Sequence, residues 1–236
     1  MKHLLVAIIV LVLRGGLARL DAEAVRTSDK PNMDALMKYL RPVLEPIGGA
    51  ARIYYVGTCN RKGDMSVFPR LKLQPASSGS VGVAAVRQIV QNDKRVTVAK
   101  DLSGMIRISI GQSPSPILQT RIRSLKLKPD EQYTDLLALG VIEKTKEVDV
   151  ALKPGEEAFA KLGGSEVVVS SILVQSPVKG FPHLPAVMKN VTLDQALDLL
   201  AKVFGDVVTY EEWRGPGGVV HVSLGLQFVI GYVPER

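Results

Sequence analysis

Two stretches of this chain carry the same landmarks in the same order, and that recurrence constrains its fold more than any composition figure does. The stretch from Phe68-Pro69 to Gly111 reads as an earlier edition of Phe181-Pro182 to Gly225, offset by about 113 residues. Each opens on Phe-Pro and continues into an apolar helical pattern, Ala85, Val86, Ile89 and Val90 in the first and Ala196, Leu197, Leu200 and Ala201 in the second. Val96-Thr97 and Val208-Thr209 then match, and each block closes on an alternating run that ends in Gly111 or Gly225. Gly48-Gly49 and Gly163-Gly164 extend the match upstream, each ahead of a strand-like stretch, 52–56 and 166–174. The expected fold is therefore α/β, of the α+β type. It comprises two related small modules, each with helices packed on a short mixed or antiparallel sheet.

The amino terminus speaks to compartment. Met1-Lys2-His3 is a short basic start, residues 4–13 form an unbroken apolar run, and small residues follow, which is the layout of a secretory signal. That run is far short of the roughly 20 residues that span a bilayer. Cleavage after Ala18, with Gly16 at the third position back, or after Ala24, with Ala22 there, is open on the residues alone. No other long apolar stretch occurs, so no stable membrane span is expected once residues 1–24 are removed. The domain reading that follows is 28–111 for the first module, 112–129 for a linker and basic strand, and 130–236 for the second module.

An apolar share of 46% and a charged share of 22% suit a folded chain, and roughly 210 mature residues are enough for one substantial core or two small ones. Cleavage after Ala18 takes Lys2 and Arg14 and no acid, so the formal charge falls by two from +7. The basic surplus that remains favours anionic partners without identifying one. Cys59 is the sole cysteine. An internal disulfide is excluded, and Cys59 is either buried as a small apolar residue or paired with another chain.

Local signals place the elements. Residues 31–44 read as a helix with Met33, Leu36, Met37, Leu40 and Leu44 on one face, and Pro42 marks a break or kink near its end. Strands are expected at 53–58, 95–99 and 105–110, a turn at 60–64, a helix at 130–139, and an ambiguous stretch at 141–152. The Gln112-Ser113-Pro114-Ser115-Pro116 run is the clearest linker. Thr192-Leu193-Asp194-Gln195 fits a capping box at the start of a helix. The same threonine completes the glycosylation sequon Asn190-Val191-Thr192, and the cap is the favoured use.

The run from Val191 to Ala201, followed by Val207-Val208-Thr209-Tyr210 and a closing strand, resembles the secretin and TonB short amino-terminal domain. That family is a small periplasmic α/β module found ahead of secretins and of signalling outer-membrane receptors. The resemblance covers about 45 residues of the second block and, more loosely, the first. It implies helices packed on small sheets and a docking role rather than catalysis. No barrel or secretin core follows within these 236 residues, so a transport role is not expected.

Reactive constellations are nearly absent. Ser176-Pro177-Val178-Lys179 matches a Ser-x-x-Lys pattern, but Gly180 and Pro182 follow at once and no Lys-Thr-Gly partner occurs, so the serine reads as part of a linker. His183 and His221 are too few for a histidine-rich metal site, and no cofactor is expected. Arg107 and His221 occupy matched polar phases of their strands, which suggests a solvated polar strand face. Glu156-Glu157 and Glu211-Glu212 read as helix-start or turn charges. Arg121, Arg123, Lys126 and Lys128 interleave with Ile122, Leu125 and Leu127, with a phase slip at Ser124-Leu125. Such a strand is either an edge guarded against unwanted pairing or a stripe for an anionic partner. Nucleic acid is not expected, because no aromatics stand between the charges. The leading expectation is an exported, non-enzymatic docking module whose partner is an envelope protein or an anionic cell-surface component. An envelope hydrolase with a site between modules, using His221 and Arg107, and a self-assembling structural protein are the alternatives.

Overall fold

A computed structural model of the chain describes residues 31–59, 70–161, 182–215, 217–227 and 229. The leader at 1–24, the turn at 60–64, the strand expected at 166–174, Phe68, Phe181 and the serine-lysine pattern at 176–179 lie outside those residues. The fold is α/β. In chain order the elements are α1 (Pro31–Leu44), β1 (Ala51–Thr58), α2 (Gly82–Val90), β2 (Val96–Lys100), β3 (Ile106–Gly111) and β4 (Arg121–Lys126). They continue with α3 (Pro129–Gln132), α4 (Asp135–Glu143), α5 (Lys146–Lys161), β5 (Val187–Thr192), α6 (Leu193–Phe204), β6 (Val207–Gly215) and β7 (Gly218–Gln227). The helix of α1 runs through Pro42 and gives way two residues later to a 3-10 turn at Glu45–Ile47, and the ambiguous 141–152 stretch resolves into the end of α4 and the start of α5.

Five strands make one sheet in the order β2-β3-β1-β6-β7, in which β1 runs parallel to both β3 and β6. The outer strands β2 and β7 are antiparallel to their neighbours. A central strand covered on both faces needs side chains that tolerate burial on both, and β1 is buried from Ala51 to Gly57. Its residues divide by parity. Ala51, Ile53 and Tyr55 enter a first core with α1 and α2, where Leu36, Leu40, Val86 and Ile89 meet Ile106, Ile108 and Ile110 of β3. Tyr54 enters a second core on the opposite face, where Leu197 and Leu200 of α6 and Ile142 of α4 meet Val208 and Tyr210 of β6. Each such aliphatic side chain contributes roughly 1.5–3 kcal/mol when fully buried.

Two crossovers link the parallel strands. The β1-to-β3 link carries α2 over the first face, and the later link to β6 carries α6 over the second, moving in the opposite sense along the sheet. Opposite directions on opposite faces give both crossovers the same hand, as twisted parallel sheets require. This arrangement corrects the two-module expectation. Strands from both blocks hydrogen-bond through β1 into one sheet, so neither block closes a sheet of its own. Nor does it show a duplication: β1 lies beside the second strand of the first hairpin, β3, but beside the first strand of the second hairpin, β6. Helix-then-hairpin segments share their periods whether or not they share an origin.

The capping box at α6 is formed. Thr192 Oγ1 accepts the Gln195 amide at 3.1 Å, and Gln195 Oε1 accepts the Thr192 amide at 2.8 Å. At the other end Gly205 adopts φ 70°, which a side chain would disfavour, and its amide donates to the Ala201 carbonyl at 2.9 Å. Replacing Thr192 by alanine removes one half of this reciprocal cap. The expected loss is about 1 kcal/mol in urea denaturation, and an unchanged midpoint would show that the cap is redundant.

Candidate functional site

Strands β4 and β5 form a separate two-stranded ribbon that feeds directly into α6. Ile122, Leu125, Leu127 and Met188 point into the second core. Arg121, Arg123, Lys126 and Lys128 are all exposed, as is Lys189 on β5. The phase slip seen in the sequence is real and has a backbone cause. Ile122 pairs with Val191 and Leu125 with Met188, and between them Asn190 takes a left-handed φ of 54° that re-phases the strands. Asparagine tolerates that conformation better than most residues. Lys126 lies opposite Val187, which is 44% exposed, and Ser124 lies opposite Lys189. The acids near this face are peripheral: Glu131 stands 3.7 Å from the Lys128 amine, and Glu147 accepts the Arg123 amide at 3.4 Å.

A second charged assembly is interior and was missed by sequence reasoning. Arg52 is fully buried near the start of β1, and Arg107 lies beside it on β3 in the parallel register. Both face α6, where Asp194 and Asp198 sit four residues apart on one helix face. Arg52 Nη1 donates to Asp198 Oδ1 at 2.9 Å and to the Asp194 carbonyl at 3.0 Å. Arg107 donates from Nε to Asp101 at 2.9 Å, from Nη1 to Asp194 at 3.0 Å and from Nη2 to Asp198 at 2.5 Å. Tyr54 completes the lattice, accepting from Arg107 Nη1 and donating to Asp194 Oδ1 at 2.9 Å. Burial lowers the Arg52 guanidinium below its ordinary value against the pull of Asp194 and Asp198, and burial raises Asp198 against the pull of Arg52 and Arg107. The available signal was a lone arginine inside a strand otherwise built for the core.

Arg107 is therefore not part of a solvated strand face, since three carboxylates bond it. His221 is not solvated either. It is 6% exposed, and its ring lies 4.9 Å from Phe159 of α5 and 5.4 Å from Trp213, its cross-strand neighbour on β6. Helix α5 covers the strand phase that alternation alone assigned to solvent. By strand parity His221 and Arg107 lie on opposite faces of the sheet with two strands between them, so no site unites them. The ring of His183 lies 5.2 Å from that of Tyr133.

The expected linker at 112–116 is a strap pinned to the sheet. Glu212, fully buried on β6, accepts the Ser115 amide at 2.9 Å and the Tyr210 hydroxyl at 2.7 Å, and Arg214 Nε donates to it at 2.5 Å. Arg214 also holds the Gln112 side chain and the Ser113 carbonyl at 3.0 and 2.7 Å. Burial works to raise the Glu212 carboxyl, but the Ser115, Tyr210 and Arg214 hydrogen bonds outweigh it and hold the group below its ordinary value. Glu212 is thus a buried acceptor rather than a turn charge. Beneath the strap lies a cavity of about 380 Å³, walled by Tyr54, Arg107, Ser109, Pro114, Leu118 and Asp194 among others. Cys59 is buried in the first core, and its amide donates to the Arg214 carbonyl at 2.8 Å. Among the described residues no cluster of three or more histidine, cysteine or acidic side chains is placed to hold a metal, and no helix is long and apolar enough to cross a membrane.

No protein family, curated protein or solved structure matches this chain.

Proposed function

We propose that this chain is an exported, non-catalytic binding module that docks an anionic partner through the outer face of the β4–β5 ribbon. The observation that carries the reading is the segregation of charge. The interior arginines Arg52 and Arg107 are matched by carboxylates, whereas Arg121, Arg123, Lys126 and Lys189 face solvent with no acid bonding their charged heads among the described residues. Unmatched cations on a small rigid ribbon attract anions and speed encounter, and the attraction falls with salt. The likeness of 191–201 to the short amino-terminal domain of secretins and TonB receptors supports docking over catalysis, and the basic-apolar-small pattern of 1–24 supports export.

The test is binding of a fluorescent polyglutamate probe at low and at physiological salt. The triple change Arg121→Glu, Arg123→Glu, Lys126→Glu is expected to weaken binding at least about tenfold at low salt, on the scale of about 1 kcal/mol per cation near an anionic surface. The control change Lys38→Glu, Lys94→Glu, Lys153→Glu alters net charge equally on exposed positions outside the ribbon and is expected to have a much smaller effect. Equal losses from both triples would reduce the reading to net charge. Export is checked by fractionation and by the mass of the mature amino terminus, expected to begin at Arg19 or Val25.

A further inference from the structure

We propose that the anionic partner of the ribbon is a lipid headgroup surface, a deepening that rests on the docking reading above. Three features of the ribbon favour a surface over a single acidic chain. The first is shape. The ribbon is a two-stranded sheet with one face in the core and the other outward, and the cavity under the strap is lined by none of its residues. The second is the layout of charge. Side chains on one face recur about every 6.8 Å along a strand and about 5 Å across a pair, so Arg121, Arg123, Lys126 and Lys189 spread over two dimensions instead of lining one track. A planar array of phosphates meets such a patch at several points at once, whereas an extended acidic peptide meets one row.

The third feature is Val187. It is one of the few large apolar side chains exposed in the described structure, at 44%, and it lies directly opposite Lys126 on the last pair at one end of the ribbon. Against an acidic protein strand an isolated exposed valine contributes little. At a membrane it enters the headgroup layer while the neighbouring cations hold the phosphates, the combination that peripheral binding uses. The long arginine and lysine stems extend the same contact, burying methylenes while their heads stay with the anions. The ribbon is also rigid. Ile122, Leu125 and Met188 fix it to the core and Leu193 donates its amide to the Thr120 carbonyl at 2.8 Å, so docking orders side chains and little backbone.

Sedimentation of the full chain with vesicles decides the matter. Vesicles containing phosphatidylglycerol in phosphatidylcholine are expected to carry the protein down at low salt, and vesicles of phosphatidylcholine alone are not. Val187→Trp is expected to raise partitioning several-fold and Val187→Asp to lower it at least about tenfold, with polyglutamate binding changed far less by the tryptophan variant. The Arg121→Glu, Arg123→Glu, Lys126→Glu triple is expected to abolish sedimentation. Polyglutamate binding without vesicle binding overturns the lipid assignment and leaves the docking reading standing; failure of both probes overturns both. Vesicle binding that is indifferent to Val187→Trp and Val187→Asp also overturns the assignment, because the lipid reading has Val187 entering the headgroup layer. Retained α/β circular dichroism in each exposed variant separates loss of binding from loss of fold.

Discussion

Asp198→Ala is expected to destabilise the protein by about 3–5 kcal/mol, the largest single-site cost outside the apolar cores. The reason is Arg52. Its side chain has no solvent exposure, and Asp198 supplies its shortest carboxylate contact at 2.9 Å. Asp194 reaches the same nitrogen at 3.3 Å and gives its carboxylate mainly to Arg107 and Tyr54. The Nε and Nη2 atoms of Arg52 already lack hydrogen-bond partners, so the guanidinium has no reserve when Asp198 is lost. An isolated buried charge is costly, whereas removing both partners together costs much less. The double change Arg52→Met, Asp198→Leu is therefore expected to lie within about 2 kcal/mol of the parent, on either side. Urea denaturation at constant slope reads both values. If the single change cost under about 1 kcal/mol, the lattice would be peripheral to the fold rather than a clamp between α6 and the sheet centre. Arg107→Ala should cost less than Asp198→Ala, because Arg107 is 22% exposed and water replaces part of what is lost.

That clamp also shows where sequence reading reaches its limit. Local order was readable: Thr192 and Gln195 announce the α6 cap at a spacing of three, and the apolar faces of α1, α2 and α6 follow from helical period alone. Pairing across the sheet was not. Arg52 and Asp198 lie 146 residues apart, and nothing in either neighbourhood specifies the other. For the same reason two helix-hairpin blocks looked like two modules, when β1 accepts a strand from each. His221 was placed in a polar phase because a strand's alternation says which residues share a face, but not whether a helix such as α5 will cover that face. The ribbon is the opposite case. Its exposed cations were legible because Ile122, Leu125 and Leu127 mark the buried side, and even the phase slip was visible, although its cause at Asn190 lay on the partner strand.

Asp206→Asn is expected to flatten the pH dependence of stability between about pH 4 and about pH 8. Asp206 joins α6 to β6 and is only 3% exposed, and one of its carboxyl oxygens is buried without a hydrogen-bond partner. Burial, reinforced by the Asp135 carboxyl at the start of α4, pushes it up from 3.8 to about 8. Within that window the folded protein keeps a proton that the unfolded chain has lost. The folded state then binds more protons, so unfolding free energy falls as pH rises, by up to about 1.4 kcal/mol per pH unit for one such group. The contribution is fully present below the unfolded value and is gone above the folded one. Asp198, also raised by burial, adds to the same trend, so some slope should survive in the variant. Asp101 and Glu212 are held low and act the other way, gaining stability as pH rises through the acid range below the window. Asparagine reproduces the protonated shape of Asp206 and can donate to Asp135 at every pH. The variant should therefore match the parent near pH 4 and exceed it by a few kcal/mol near pH 8, as read by denaturant midpoints across the series. A parallel offset at all pH values would instead mean that Asp206 is ionised in the folded state throughout, with its charge met by a partner other than a shared proton.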